Sequence, residues 1–453
     1  MFKLIVFISF MFVNSCLSDK VIASDFNDEF ISKTQAKKDI NYFFHKYKKI
    51  HPNPYFIYSK SSLDSIKHDL INSLPNNISR YDMWKLMNTK LSLLLNAHTR
   101  FEYLPLSSKN NLFFPYNISV DYNQCVYVSD NKKIISINNV SIERIIANFS
   151  YELPLENKLT SLMFMQDLFP IVLNSFFGQQ KYFLVNYEKG ESRYVDTVFS
   201  VPLDEYVKIN KKCIIDNEYR IINSNAKKIM YVRYVDFSLS NIDKIQKMTD
   251  SVFSVIKSEK ISTLVIDLRN NTGGSSFCTD IIENYIYGEK IKSSYTTIKN
   301  SKDYRRLINV DSFWDRFKSK FLFDVFILRK KTIKFNGDVV CQNTRTLNKF
   351  SGDILILVSP MTSSASADFA YHIKLNKVGS IIGSGIGQPA RNFTDAREFL
   401  LKESNIKFFL PTQESVYKNI PLNKGFLKMD YSVDFQSPID FNNDSLWMRL
   451  IQD

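Results

Sequence analysis

Three groups of residues have the types and spacing to do chemistry. The first is Thr362-Ser363-Ser364-Ala365-Ser366, a cluster of small hydroxylated residues. It follows a branched apolar run, Asp353 to Ser359, broken by Pro360 and Met361. Ala365, Phe369, His372 and Leu375 then recur at helical spacing, and Val378 to Ile382 is a second apolar run closed by glycines. The pattern predicts strand, sharp turn, helix, strand. A serine at a helix N-terminus faces free backbone N–H groups and the positive end of the helix dipole. Those donors can be capped by the serine, or can stabilise an oxyanion if the serine attacks a carbonyl. The local pattern leaves both readings open.

The second group is Gly273-Gly274, after the apolar run Thr263 to Leu268 and before a helical stretch, Phe277 to Tyr287. Exposed N–H groups there can bind phosphate. The turn has neither the lysine of a P-loop nor GxGxxG spacing, so a nucleotide site is weakly supported. The same donors can form an oxyanion hole, or the glycines can simply serve a turn that needs positive φ. The third group is His98, in LLLNAHTRFEY, residues 93–103. His45, His51, His68 and His372 have no motif around them and read as surface or helix residues.

These residues need a scaffold. Asp28–His51, Ser61–Leu74 and Tyr81–Leu95 show helical periodicity, so residues 28–103 read as a helical unit carrying His98. Residues 104–210 turn β-rich, with short runs at Asn117–Asp121, Cys125–Val128, Lys133–Ile137, Tyr182–Tyr187 and Tyr194–Phe199. Within them KIISINNVSIERII, 133–146, resembles the strand–turn–helix of a PDZ domain, although Asn139 replaces the usual glycine; a plain β-rich spacer fits equally. From 220 to 453 strands alternate with helices, which indicates parallel pairing. An insert at 288–350 interrupts this part and carries Trp314, Phe317 and Phe321.

With 453 residues, 44% of them hydrophobic, the chain can fill two or three cores. Lys+Arg outnumber Asp+Glu by 59 to 46, a net +13 spread without a basic block. No motif of a nucleic-acid reader accompanies it, so no nucleic-acid partner is expected. Cys125, Cys213, Cys278 and Cys341 are scattered, which argues against a disulfide framework or a structural zinc site. Residues 1–16 read as a secretory signal, too short to span a bilayer. Val13-Asn14-Ser15-Cys16 resembles a bacterial lipobox, in which Cys16 would be lipidated and 17–27 would be a tether; the alternative is ordinary cleavage near Ser18. No other segment reads as membrane-spanning. The expectation is an exported cell-envelope lipoprotein whose contact with the membrane is that anchor.

Read together, three stretches resemble the S41 serine peptidases, the C-terminal processing, tail-specific and tricorn-core proteases. STLVIDLRNNTGG, 262–274, is similar to the family's D-ϕ-R-x-N-x-G-G strand and turn. MTSSASADFA, 361–370, is similar to T-x-S-A-A-E-D-F-A, whose first serine aligns with Ser364. LNAHT, 95–99, is similar to ϕ-x-D-G-H-T, which places His98 as the base. The resemblance implies an α/β, crotonase-like ClpP/S41 core with an N-terminal helical unit and often a PDZ insert. It implies hydrolysis of a polypeptide substrate without metal or cofactor. Ser364 would be the nucleophile, and Gly273 or Gly274, with Ala365, would supply the oxyanion donors. The chain also departs from the family. GSGIGQPA, 383–390, has no lysine for a serine–lysine dyad, and Ala367 and Ser384 stand where glutamates are usual. Leu422 stands where tricorn-like members have an acid, leaving Asp430 and Glu102 as third-member candidates by elimination. Two alternatives follow: a catalytically degenerate relative that binds peptides, and a Ser–His hydrolase of small acyl substrates.

Overall fold

A computed structural model describes residues 29–433 except 103–111, 122–124, 129–131, 154, 211–215, 225–226, 288–289, 309–331, 336 and 341–348, together with 448. Trp314, Phe317, Phe321 and Cys16 lie outside the described residues.

The N-terminal unit contains the three expected helices, Lys33–Ile50, Lys60–Asn72 and Arg80–Leu91. Ser32 and Gln35 form a capping box at the start of the first, which ends at the His51-Pro52 break. Its buried face, Ile40, Phe43, Phe44 and Tyr47, packs on Phe399, Leu401, Ile406, Phe408 and Leu410. Those residues belong to a long antiparallel hairpin, Arg391–Leu400 with Lys407–Val416. The chain after His98 adds a strand to this hairpin, Arg100–Phe101 pairing with Phe409 and Phe408. Strand Tyr295–Lys299, from the insert, pairs with the same hairpin. Polar and charged residues interrupt Arg391–Leu400, so this strand shows no apolar period in the sequence.

In the middle unit, strands Lys132–Ile137, Tyr182–Lys189 and Ser192–Phe199 form a sheet with Ser119–Val120 and Val126–Val128. Asn138 and Asn139 both have positive φ (48° and 61°), as a tight hairpin turn requires, and helix Ile142–Glu152 follows. The sequence reading missed a 20-residue helix, Lys158–Phe177. It is long and apolar enough to cross a membrane, contrary to the expectation that no such second segment exists, but 72% of its apolar window is buried within the protein. Being enclosed on nearly all sides, it lacks the amphipathic period by which a surface helix is recognised.

The C-terminal core is a six-stranded sheet. Its order is Glu218–Ser224, Lys227–Arg233, Thr263–Asp267, Asp353–Val358, Ser380–Gly383 and Tyr431–Ser432. The first pair is antiparallel and the rest are parallel, as expected of strands joined by helices. Helices Ile242–Ser258, Ser276–Ile286 and Ala365–Asn376 cover it. Thr263–Asp267 and Asp353–Val358 are neighbours in register, Asp267 opposite Leu357. Their C-terminal ends therefore release two loops side by side: the Gly273-Gly274 turn and the serine cluster. Crevices at such strand ends are where open α/β sheets hold their sites.

Candidate active site

The two loops are joined by hydroxyl groups and main chain. Thr362 Oγ1 donates to Leu268 O (2.7 Å) and Ser366 Oγ to Asn271 O (2.6 Å). Ser359 Oγ donates to Arg269 O, and Ser363 N–H to Asn271 O (3.3 Å). Asn271 is fully buried, and its side chain binds Tyr234 O and the Gly273 N–H. Below it, Arg269 grips Asp267 through Nε (2.9 Å) and Nη2 (2.7 Å). Burial opposes the Asp267 charge, but Arg269, Arg233 and Tyr231 outweigh it and hold the carboxyl below its ordinary range. The D-ϕ-R-x-N stretch is thus a rigid base for the turn.

Ser364 stands apart from its neighbours. Ser366 is buried and hydrogen-bonded, and Ser363 Oγ lies against the Gly387 backbone, where a Cβ would stand 2.2 Å from it. Ser364 is half-buried, occupies the N-cap position of helix Ala365–Asn376, and makes no cap hydrogen bond through its side chain. Its φ of 54° and ψ of −130° lie where a non-glycine residue costs about 1–3 kcal/mol. Such strain concentrates at functional sites. Its N–H donates to Gln388 Oε1 (3.0 Å).

The glycine turn packs directly beneath. A Cβ on Gly273 would fall 2.6 Å from Ser364 Cβ and 2.5 Å from Ser363 O; on Gly274 it would meet Phe237 O at 2.3 Å. Both have positive φ, 99° and 140°. The Gly273 N–H is occupied by Asn271 Oδ1 (2.8 Å). Of the two glycines named from the sequence, Gly273 therefore has its N–H already engaged, which leaves those of Gly274 and Ala365 as the candidate donors.

His98 sits in a loop shaped by Asn96, whose Oδ1 accepts the N–H groups of His98 (2.9 Å) and Thr99 (2.7 Å). The imidazole is 7% exposed, and its Nδ1 has no hydrogen-bond partner among the described residues. Burial, then the Arg100 charge, lowers its pKa to about 4, against the opposing pull of Asp395. The ring is therefore neutral, in the form a base requires, across the physiological range. Asp395 itself is held by Arg397 (3.0 Å) and Thr412 on the long hairpin.

The junction before helix Lys158–Phe177 touches both loops. Glu156 Oε2 accepts the Ala97 N–H (3.2 Å), next to His98. Asn157 Nδ2 donates to Ile386 O (2.9 Å) and Thr160 Oγ1 to Pro360 O (2.5 Å), on either side of the serine turn. Glu156, Asn157 and Thr160 of the middle unit thus link the histidine loop to the 383–390 loop and to the chain just before the serine turn. The third-member candidates are placed elsewhere. Asp430 binds Lys374 and the Ile381 N–H (2.8 Å). Glu102 lies beyond the Arg100–Phe101 strand, its carbonyl accepting from Trp84. Sequence reasoning missed Asp395, Gln388 and the 156–160 clamp. None lies in a recognisable motif, and each reaches the site through pairing between distant segments. Among the described residues, no group of three or more His, Cys, Asp or Glu is arranged to hold a metal ion.

The profile of peptidase family S41 matches residues 228–402. No curated protein matches the chain in sequence. Solved structures do match. Mature CPAF superposes with a TM-score of 0.67 at 11% identity, covering 92% of this chain and 96% of the other. Mature CPAF complexed with lactacystin gives 0.67 at 11%, covering 93% and 97%. The photosystem II D1 C-terminal processing protease gives 0.48 at 13%, covering 88% and 93%. At 11% identity the CPAF likeness establishes a shared fold over nearly the whole length of both chains. The matched segment contains both site loops, the glycine turn and the serine cluster; over residues 228–402 the chain is similar to peptidase family S41, within an α/β fold that carries an additional β-rich unit.

Proposed function

We propose that this protein is an exported serine peptidase with Ser364 as nucleophile and His98 as general base. One observation carries the reading: Ser364 is held at positive φ on a helix N-terminus, caps nothing, and has the Gly273 backbone packed beneath it. His98 accepts the Ser364 Oγ proton as Oγ bonds to the substrate carbonyl carbon. The Gly274 and Ala365 N–H groups hold the resulting oxyanion. Collapse of the adduct breaks the C–N bond, and the amine leaves with the proton from His98. Water, giving its proton to His98, then bonds to the acyl carbon; the Ser364 Oγ–C bond breaks, the acid leaves, and Oγ takes the proton back from His98. Asp395, whose charge acts on His98, stabilises the imidazolium formed at each step.

The test is labelling by a fluorophosphonate probe, with lactacystin, found in complex with one similar structure, as a second probe. Wild type labels; Ser364→Ala does not; His98→Ala labels about 10²–10⁴-fold more slowly, the usual contribution of a general base. Equal labelling of wild type and Ser364→Ala would remove Ser364 as nucleophile. A second reading, a peptide-binding relative without activity, draws on the replaced acids Ala367 and Ser384 and on the unpartnered Nδ1 of His98. Peptide binding without labelling by either probe would favour it. For export and anchoring, Cys16→Ser is expected to move the protein out of the membrane fraction; retention there would refute lipidation at Cys16.

A further inference from the structure

His98 is the histidine of the proposed mechanism, yet a second histidine, His372, lies on the helix that begins at Ala365, its side chain 14% exposed. Its Nδ1 lies 2.7 Å from Glu283 Oε1. Its Nε2 lies 3.1 Å from Ser293 Oγ and 3.4 Å from the Tyr417 hydroxyl. That hydroxyl donates to Asp368 Oδ1 (2.9 Å). Gln388 Nε2 donates to the same oxygen (2.9 Å), and Gln388 Oε1 accepts the Ser364 N–H (3.0 Å). The Tyr417 ring is fixed by stacking on Tyr371 at 4.4 Å and 7°. Tyr371 in turn donates to Gln388 O (2.9 Å). A continuous polar chain therefore runs from the His372–Glu283 pair to the backbone of the candidate nucleophile.

We propose that His372, in its protonated form, is a positioning residue for Ser364, acting through Tyr417, Asp368 and Gln388. The proposal rests on Ser364 being the nucleophile. Its logic is the direction of the hydrogen bonds. Protonated, His372 donates from both ring nitrogens, to Glu283 and to Ser293 or Tyr417, and offers Tyr417 no acceptor. The single Tyr417 proton then stays on Asp368. Neutral His372, with its proton kept on Nδ1 by Glu283, exposes a lone pair on Nε2 that competes with Asp368 for the Tyr417 proton. Charge works in the same direction. Burial pushes the Asp368 pKa up, and the His372 charge opposes this most strongly. An ionised Asp368 accepts only, so it must face Gln388 Nε2 and leaves Oε1 toward the Ser364 N–H. A protonated Asp368 no longer imposes that orientation, and a turned amide would set its NH₂ against the Ser364 N–H.

The groups facing His372 are Asp280 and Glu283 on helix Ser276–Ile286, Asp368 on its own helix, Tyr417 after the long hairpin, and the neutral Ser293. Burial disfavours the imidazolium, but the Glu283, Asp368 and Asp280 carboxylates outweigh it and raise the pKa above the ordinary 6.5. The charged state and the support it gives are present on the acid side of that raised pKa. They are lost as pH rises through the elevated pKa.

The experiment measures fluorophosphonate labelling rates of the full chain from about pH 5.5 to 9, where histidines titrate, for wild type, His372→Gln, Glu283→Gln and Tyr417→Phe, each with its melting midpoint. Wild type is expected to slow on the alkaline side by about tenfold, the worth of one well-made hydrogen bond. His372→Gln should be slow and flat across the range. Glu283→Gln should keep the limb but shift it to lower pH, because the carboxylate that raises the His372 pKa is gone. Tyr417→Phe should be slow without a limb. A merely structural role would lower the midpoints and leave the shape of the profile unchanged. If Ser364→Ala abolishes labelling but the variant profiles superimpose on wild type, the relay is wrong and the nucleophile stands. If wild type is not labelled, the nucleophile reading fails and the relay falls with it. Should His372→Gln not fold, Glu283→Gln and Tyr417→Phe decide by the same criteria.

Discussion

Replacing Gly273 with alanine tests whether the glycine turn sets the position of Ser364. The added Cβ would stand 2.5 Å from Ser363 O, 2.6 Å from Ser364 Cβ and 3.0 Å from Ala365 N. Comfortable carbon contacts begin near about 3.5 Å, so the two loops must part by about 1 Å. Two of the three atoms are backbone, and no rotamer change relieves them. The left-handed conformation at φ 99° costs a further 1–3 kcal/mol, about the same as the overpacking, for a total of about 2–6 kcal/mol. Such a loss is a large fraction of the usual 5–15 kcal/mol of folding stability, so the melting midpoint should fall by several degrees, by roughly ΔΔG/ΔS. Where the fold survives, strain is relieved by moving the serine turn. A displacement of about 1 Å slows reaction by about 10²-fold, read as the second-order rate of fluorophosphonate labelling. The control is Gly385→Ala, also at positive φ (140°) but with nothing within 4 Å of its Cβ. It should lose modest stability and keep its labelling rate relative to folded protein. If Gly273→Ala labels at the wild-type rate with a wild-type midpoint, contact between the two loops does not position Ser364.

Two further outcomes are expected. Because burial and Arg100 lower the His98 pKa to about 4, labelling should rise as pH passes upward through that value. The unfolded chain takes up the His98 proton near 6.5, so stability falls as pH drops from there toward 4, by on the order of 3 kcal/mol once the proton is forced on. His98→Gln should flatten both the rate profile and this part of the stability curve, and an acid limb that persists in it would assign the titration elsewhere. Asn157→Ala removes both the hydrogen bond to Ile386 O and the cap on the Leu159 N–H, and should cost about 1–3 kcal/mol while slowing labelling, whereas an unchanged rate would show that the clamp holds the units together without aligning the site.

The local parts of this protein are legible in its sequence. Runs such as Thr263–Asp267 and Asp353–Val358 are apolar because parallel strands are covered on both faces, and that signal is readable without a partner. The paired glycines marked a turn, and the small hydroxyl cluster after Pro360 marked a helix start, so Gly273, Gly274 and Ser364 were identifiable as candidates. The helical unit was legible from its amphipathic faces. Helix Lys158–Phe177 was not, because a helix enclosed on nearly all sides has no polar face to set a period. The motif alignment already points to Ser364 among the three serines; the tertiary structure adds the backbone angle at Ser364 and the hydrogen bonds that occupy its neighbour Ser366. Only it showed the Gly273 N–H bound to Asn271. It also brought Glu156 to the His98 loop, 59 residues away in sequence, and linked His372, which no motif had marked, to Gln388 by way of Tyr417 and Asp368. Those relations depend on strand register and loop packing across the chain, where a side chain's partner is decided by distance in space and leaves no periodicity in the sequence.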